Sequence, residues 1–220
     1  INLSNFILKN NLNKRKQFTY TNLYYENKII KEIPMAKKKD ERRLDSTKQY
    51  IDALSEQHSK LNIVRVDLGY KKPHSENITL EDVNKDLNRM FNNMRSKPSV
   101  FKDKVGYVCK KEYTEDKGLH IHAIFIYDGQ KVLKDTFKGD EIGKYWEQIT
   151  QDKGSFHNCN RNKYEKNGIG MLDHRDSEKR KILDEKVITY LCKDEQDIEA
   201  IKENKKDRSF TRGVVPKGKG

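Results

Sequence analysis

Cysteine is scarce in this chain. Three are present, Cys109, Cys159 and Cys192, far apart and with no CxxC pair. That count and spacing argue against a disulfide framework and against a zinc ribbon, and they fit a reducing, cytoplasmic setting. Apolar residues are also few, at 34%, against 36% charged. No apolar run approaches the roughly 18–20 residues that span a bilayer. The pattern of a signal peptide is missing. So is a Walker A motif, so no helicase domain is expected within the 220 residues. No internal repeat is visible.

Positive charge is what the chain has in excess. Lys and Arg outnumber Asp and Glu by 46 to 34, a net charge of +12. An excess of this size favours a polyanionic partner, most often nucleic acid. A solvated Lys-rich surface is the plainer explanation, and charge alone does not separate the two.

The apolar residues cluster, so one sizeable core is possible in 220 residues. Residues 1–34 are rich in Asn, Lys and Tyr and carry no sustained period; the first residue is Ile1, and Met35 precedes a basic run that resembles a protein start. Residues 1–40 are therefore set apart as a basic extension, with one domain expected over 41–213 and a basic tail over 214–220. Leu44, Tyr50, Ile51, Leu54 and Leu61 recur at helical spacing. The run 62-NIVRVDLGY-70 alternates, with Ile63, Arg65, Asp67 and Gly69 on one face and Val64, Val66 and Leu68 on the other. Thr79 followed by Asp82 reads as a helix start, with apolar residues at threes and fours to residue 96. Residues 104–114 and 118–129 read as two strands of an antiparallel hairpin. Helices are expected over 139–154 and over 177–196, the second capped by Ser177. The polar stretch 152–170 reads as a loop around a short strand at most. The order implies an α+β fold, a central antiparallel sheet flanked by helices.

Within the hairpin lies 118-GLHIHAIFIYDG-129. His120 and His122 stand two residues apart on a strand and so project to one side. Two imidazoles so placed can converge on one divalent cation. A third ligand should come from a neighbouring strand, and two carboxylates qualify. Glu112 sits in the hairpin partner. Asp67 sits among apolar neighbours, where a carboxylate is costly unless paired, with Arg65 as the alternative partner. Such a site suits Mg²⁺ or Mn²⁺ bridging to a phosphate, or Zn²⁺ activating water. Further on, 190-YLCK-193 puts Tyr190 and Lys193 one helical turn apart. Tyrosine is a weak nucleophile at its free pKa near 10, and a cation would help it. Alone, this pair reads equally as a helix edge.

Together these features resemble the HUH endonuclease superfamily, and within it the rolling-circle initiators of filamentous phages (inoviruses) and related prophage elements. The resemblance rests on 64-VRVDL-68, 118-GLHIHAIFI-126, 142-IGKYWEQIT-150, 188-ITYLCK-193 and 208-RSFTRG-213, and covers roughly residues 60–213. It implies the HxH strand at the centre of the sheet and the tyrosine helix beside it. It implies a Mg²⁺ or Mn²⁺ ion on His120 and His122 with Glu112 or Asp67, attack by Tyr190 on single-stranded DNA at an origin hairpin, a 5′-phosphotyrosine link, and Lys193 beside the phosphate. Arg65, Lys110, Lys111, Arg208 and Arg212 are the expected nucleic-acid contacts, and a host helicase would supply unwinding. Tyr164 is the reserve nucleophile. His74, His157 and His174 read as incidental loop residues, and Cys192 as helix packing. The rival readings are a non-catalytic nucleic-acid-binding module, an inactive prophage remnant of the same fold, and a hydrolase that uses water.

Overall fold

The computed structural model describes residues 35–193, 198–202, 204 and 207–216. The chain divides into two compact units, Ile1–Lys39 and Asp40–Gly220, and the fold below is that of the second. The extension expected over residues 1–34, the helix end expected over 194–196 and the tail residues 217–220 lie outside the described residues.

The elements run α1 (Met35–Gln57), β1 (Lys60–Tyr70), α2 (Leu80–Asn92), α3 (Pro98–Phe101), β2 (Lys104–Thr114), β3 (Gly118–Asp128), α4 (Asp135–Ile149), β4 (Gly154–Asn158), β5 (Gly170–Asp173), α5 (Ser177–Ile182), a π-helical turn (Leu183–Ile188), α6 (Thr189–Cys192) and β6 (Phe210–Arg212). The six strands form one antiparallel sheet in the order β4-β1-β3-β2-β6, with β5 paired to β1 beside β4. The fold is α+β, a sheet between helices, and β3 is its middle strand.

Both faces of the sheet are covered, although the alternation along β1 reads as one apolar and one polar face. On one face Val64, Val66, Leu68, Ile121 and Phe125 pack against Val83, Leu87 and Met90 of α2 and Ile142, Trp146 and Ile149 of α4. On the other, Leu61, Ile63, Val108, Ile124 and Ile126 meet Tyr50, Ile51 and Leu54 of α1 and Leu183, Val187, Ile188 and Leu191. The hairpin turn closes at Gly118, whose φ of +68° is costly for a side-chain-bearing residue. α2 starts with a full capping box between Thr79 and Asp82.

Several boundaries differ from expectation, among them α4, which runs Asp135–Ile149 where a helix over 139–154 was expected. α2 stops at Asn92, where the chain turns before Pro98 opens the next helix. The cap of α5 is Asp176, whose carboxylate accepts from the Lys179 N–H at 2.9 Å, not Ser177. The expected single helix 177–196 is three pieces. A π turn interrupts it, and the Asp184 carbonyl accepts both the Thr189 N–H and the Thr189 hydroxyl, at 2.8 Å for the latter. Such wide turns recur at functional sites.

The second core does not run the length of its sheet face. Past Ile63, Ile124 and Val108, the same face continues as Arg65 and Asp67 on β1, His122 and His120 on β3, and Lys110 and Glu112 on β2. An apolar side chain in each of these places would contribute about 1.5–3 kcal/mol by burial. Six polar groups there are a large departure from what stability favours, and such departures mark functional sites.

Candidate metal and tyrosine site

Register assembles the site. In antiparallel pairs, directly opposed residues share a face. Lys110 opposes His122, His122 opposes Asp67, and Asp67 opposes His157, so one row crosses four strands. In the next row Glu112 opposes His120. The two histidines thus stand between a carboxylate on each side.

Hydrogen bonds assign the rings. His120 Nδ1 donates to the Gly118 carbonyl at 3.0 Å. His122 Nδ1 lies 2.7 Å from Asp67 Oδ1. Both Nε2 atoms therefore face Glu112, whose Oε2 lies 3.0 Å from that of His122 and 3.6 Å from that of His120. Ligand atoms of Glu112, His120 and His122 all lie within 4.8 Å of one another, and all three residues are buried. The spacings match the edges of a coordination shell with bonds of about 2.1 Å. This cluster can hold a metal ion. Of the two expected third ligands, the geometry brings Glu112 to the ligand atoms. Asp67 instead fixes the orientation of His122 from behind, the arrangement common to metal-binding imidazoles.

The electrostatics agree. Burial alone would push the Glu112 carboxyl up, but the nearby His120, the hydrogen bond with His122 and the Lys110 ammonium together hold it well below the usual carboxylate range. Burial likewise opposes ionisation of Asp67, and the His122 contact and Arg65 charge more than offset it, so its pKa is lowered. For His122 burial acts downward, yet hydrogen bonds to Asp67 and Glu112 leave its pKa raised. Without a cation, a proton on His122 neutralises part of this pair of carboxylates.

Tyr190 stands at the open side, 41% exposed. Its ring meets the His122 ring edge-on at 5.5 Å between centroids, and the Arg65 guanidinium lies over it at 5.2 Å. Burial is the main cause of its raised pKa; the charges of Glu112 and Asp67 add to the rise, and Arg65 opposes it. Arg65 Nε also lies 3.5 Å from Asp67 Oδ1. Arg65 therefore joins the tyrosine to the carboxylate that holds His122.

Other expected contacts are placed differently. Lys193 is not on a helix face with Tyr190. It follows the end of α6 in an extended conformation with ψ 144°, and it is its carbonyl that turns inward, accepting from Lys110 Nζ. Lys110 and Lys111 do not face solvent. Lys110 is 1% exposed and its ammonium lies 2.6 Å from Glu112 Oε1, while Lys111 is buried on the opposite face with its ammonium on Asn84. Alternation along β2 separates the two lysines. Arg212 is half-buried, bonded to Ser46 and the Gly213 carbonyl and lying over the Tyr50 ring. Arg208 is exposed. The Tyr164 hydroxyl donates to the Cys159 carbonyl at 3.2 Å. Cys192 is buried, as helix packing requires. His174 lies on the Ser59 carbonyl, and His74 in a short 3-10 turn.

A cleft of about 350 Å³ opens against the histidines, with Gly69, Lys72, Lys117, Ser155 and His157 on its wall. None of these was given a role from the sequence, and His157 was read as an incidental loop residue. His157 is in β4 rather than a loop, and its opposition to Asp67 is what aims it here. A lone Gly inside an alternating run, as at Gly69, was the available signal.

Among the described residues no helix is long and apolar enough to cross a membrane. No curated protein and no solved structure matches the chain. Residues 24–213 match the family model of the YagK/YfjJ C-terminal domain. That match takes in both strands of the histidine hairpin, Asp67 and Tyr190, and the chain belongs to the YagK/YfjJ C-terminal domain family.

Proposed function

We propose that this chain is a metal-dependent endonuclease and strand transferase for single-stranded DNA, of the replication-initiator type, with Tyr190 as nucleophile. One observation carries the reading. A buried cluster of two imidazoles and a carboxylate lies against a half-exposed tyrosine, with the His122 ring in contact with both. A water-using hydrolase has no use for that tyrosine, and a binding module has no use for the cluster.

Glu112, His120 and His122 would hold Mg²⁺ or Mn²⁺, which would supply Lewis-acid polarisation at the phosphate. Asp67 keeps His122 in the tautomer that presents Nε2. Arg65 holds positive charge over the Tyr190 ring, where negative charge grows as the phenol loses its proton. Glu112, the carboxylate that would bind the cation, is one of the groups that disfavour the phenolate, so loading the site and activating Tyr190 are coupled. The Tyr190 oxygen attacks phosphorus in line. A phosphotyrosine bond to the 5′ side forms, the bond to the 3′ oxygen breaks, and a proton equivalent to the one lost by tyrosine ends on that oxygen. The link keeps the energy of the phosphodiester, so rejoining needs no nucleotide cofactor. The net charge of +12 favours capture of the strand.

Cleavage of single-stranded DNA from the chain's own replicon tests this. Nicking in Mn²⁺ that stops in EDTA, in His120→Ala and in Tyr190→Phe is expected. Nicking that persists in Tyr190→Phe would transfer the reading to a water-using hydrolase. Binding without nicking would transfer it to a non-catalytic module.

A further inference from the structure

Gly69 is a glycine that the fold does not require. Among the glycines with surroundings described, Gly118 and Gly170 have positive φ, and at Gly106, Gly129, Gly139, Gly143, Gly154, Gly168 and Gly213 an added Cβ would come within 3.0 Å of another atom. At Gly69 the nearest atoms would be Ser155 Oγ at 3.5 Å and His120 Cβ at 3.8 Å, ordinary contact distances, and φ is not in the left-handed region. A side chain fits, and a strand interior normally prefers one. The missing side chain would stand beside His120, on the cleft floor. The floor is also held firmly, because Trp146 Nε1 donates to the Gly69 carbonyl from the opposite face at 2.8 Å. Glycine in a strand often marks the close approach of a ligand.

The position of the cleft gives its side of the reaction. Along β1 the site-facing residues are Arg65, Asp67 and Gly69, with about 13 Å from first to last. Tyr190 stands at the Arg65 and His122 end. The cleft opens at the Gly69 and His120 end, so the cluster lies between nucleophile and cleft. In an in-line displacement the leaving oxygen departs opposite the nucleophile. Lys72 and Lys117 are exposed on the rim, where they can meet an anion; Asp116 lies on the same rim beside Lys117. The volume, about 350 Å³, is in the range of small-molecule sites.

The geometry points to a nucleotide subsite over Gly69, for the residue on the 5′ side of the scissile phosphate, the one that departs with a free 3′-OH. This rests on the phosphoryl-transfer reading for its polarity. Gly69 lets the sugar approach the sheet next to His120, Ser155 and His157 line the far wall, and Lys72 and Lys117 offset charge on the departing strand. The ligand class is a nucleoside 3′-phosphate unit, its phosphate at the cluster and its nucleoside in the cleft.

Calorimetric titration of the full Tyr190→Phe chain in Mn²⁺ tests this, with the four 2′-deoxynucleoside 3′-monophosphates, their 5′-monophosphate isomers and inorganic phosphate as probes. At least one 3′-monophosphate should bind about tenfold tighter than its 5′ isomer and than phosphate. Gly69→Leu should bring it to the level of phosphate, and Gly69→Ala part of the way, with Mn²⁺ affinity unchanged and melting temperature not lowered. Gly69→Ala decides the matter if Gly69→Leu folds poorly. Equal binding of the isomers, preference for the 5′ isomer, or a 3′ preference unaffected by Gly69→Ala and Gly69→Leu would overturn the subsite. Its failure is distinct from failure of the nicking reading, which is judged on the Tyr190 adduct.

Discussion

Lys110 separates two accounts of the basic residues, and Lys110→Met tests them. Its neighbours in sequence, 110-KKE-112, read as a charged stretch open to a DNA strand. In the structure its ammonium is enclosed, 1% exposed, between Glu112 Oε1 at 2.6 Å and the Lys193 carbonyl. Removing one member of a buried ion pair costs about 3–5 kcal/mol, because its partner is left without compensation. Glu112 keeps the two imidazoles as partners, so the low end applies, about 3 kcal/mol. At about 2–4 °C per kcal/mol for a chain of this size, the melting temperature should fall by about 6–12 °C. Thermal unfolding in EDTA measures this, beside a salt titration of single-strand binding. A lysine on a phosphate would contribute about 0.7 to the slope of log K against log salt. The slope should not change. An unaltered melting temperature together with a slope lowered by that amount would refute the buried assignment.

Two more predictions concern the cluster. Asp67→Asn should weaken Mn²⁺ binding by about 10–100-fold while the fold persists, since it removes the charge behind His122 without touching a ligand atom; calorimetry measures the change, and full affinity would remove Asp67 from the site. Cation affinity should also fall with pH. A protonated His122 cannot ligate, and its pKa is raised, so the proton begins to compete above the ordinary histidine value near 6.5. Affinity should rise with pH until that pKa is passed, and below it drop about tenfold per pH unit for the one proton displaced. A flat profile across this range would mean that His122 does not bind the ion.

Much of this frame was legible as pattern. Alternation in 62-NIVRVDLGY-70 placed Arg65 and Asp67 on the face of the future site. Glu112 was expected across from the histidines because it lies in the hairpin partner; the sequence left the register open, and the pairing sets Glu112 opposite His120. The choice between Glu112 and Asp67 was not legible, since both oppose a histidine and ring rotation decides which nitrogen each meets. The π turn before Tyr190 has no residue signature, being a shift in hydrogen-bond pattern, and the helix that follows it ends at Cys192, before Lys193 can share its face. Lys110 and Lys111 point to opposite faces of β2, and both faces are covered, so neither ammonium lies on the surface that their charge suggested. β6, three residues long, is too short to show a period, and only its pairing with β2 defines it.

The most direct test of the central claim is a covalent-trapping experiment on the full chain. The protein is mixed with single-stranded DNA from its own replicon in Mn²⁺, with the label on the 3′ side of the break, and run on a denaturing gel. The trapped peptide is then identified by mass spectrometry. The account predicts a labelled protein band carrying DNA on the Tyr190 peptide, absent in EDTA and in Tyr190→Phe. DNA on the Tyr164 peptide, or cleavage with no adduct at all, would contradict it.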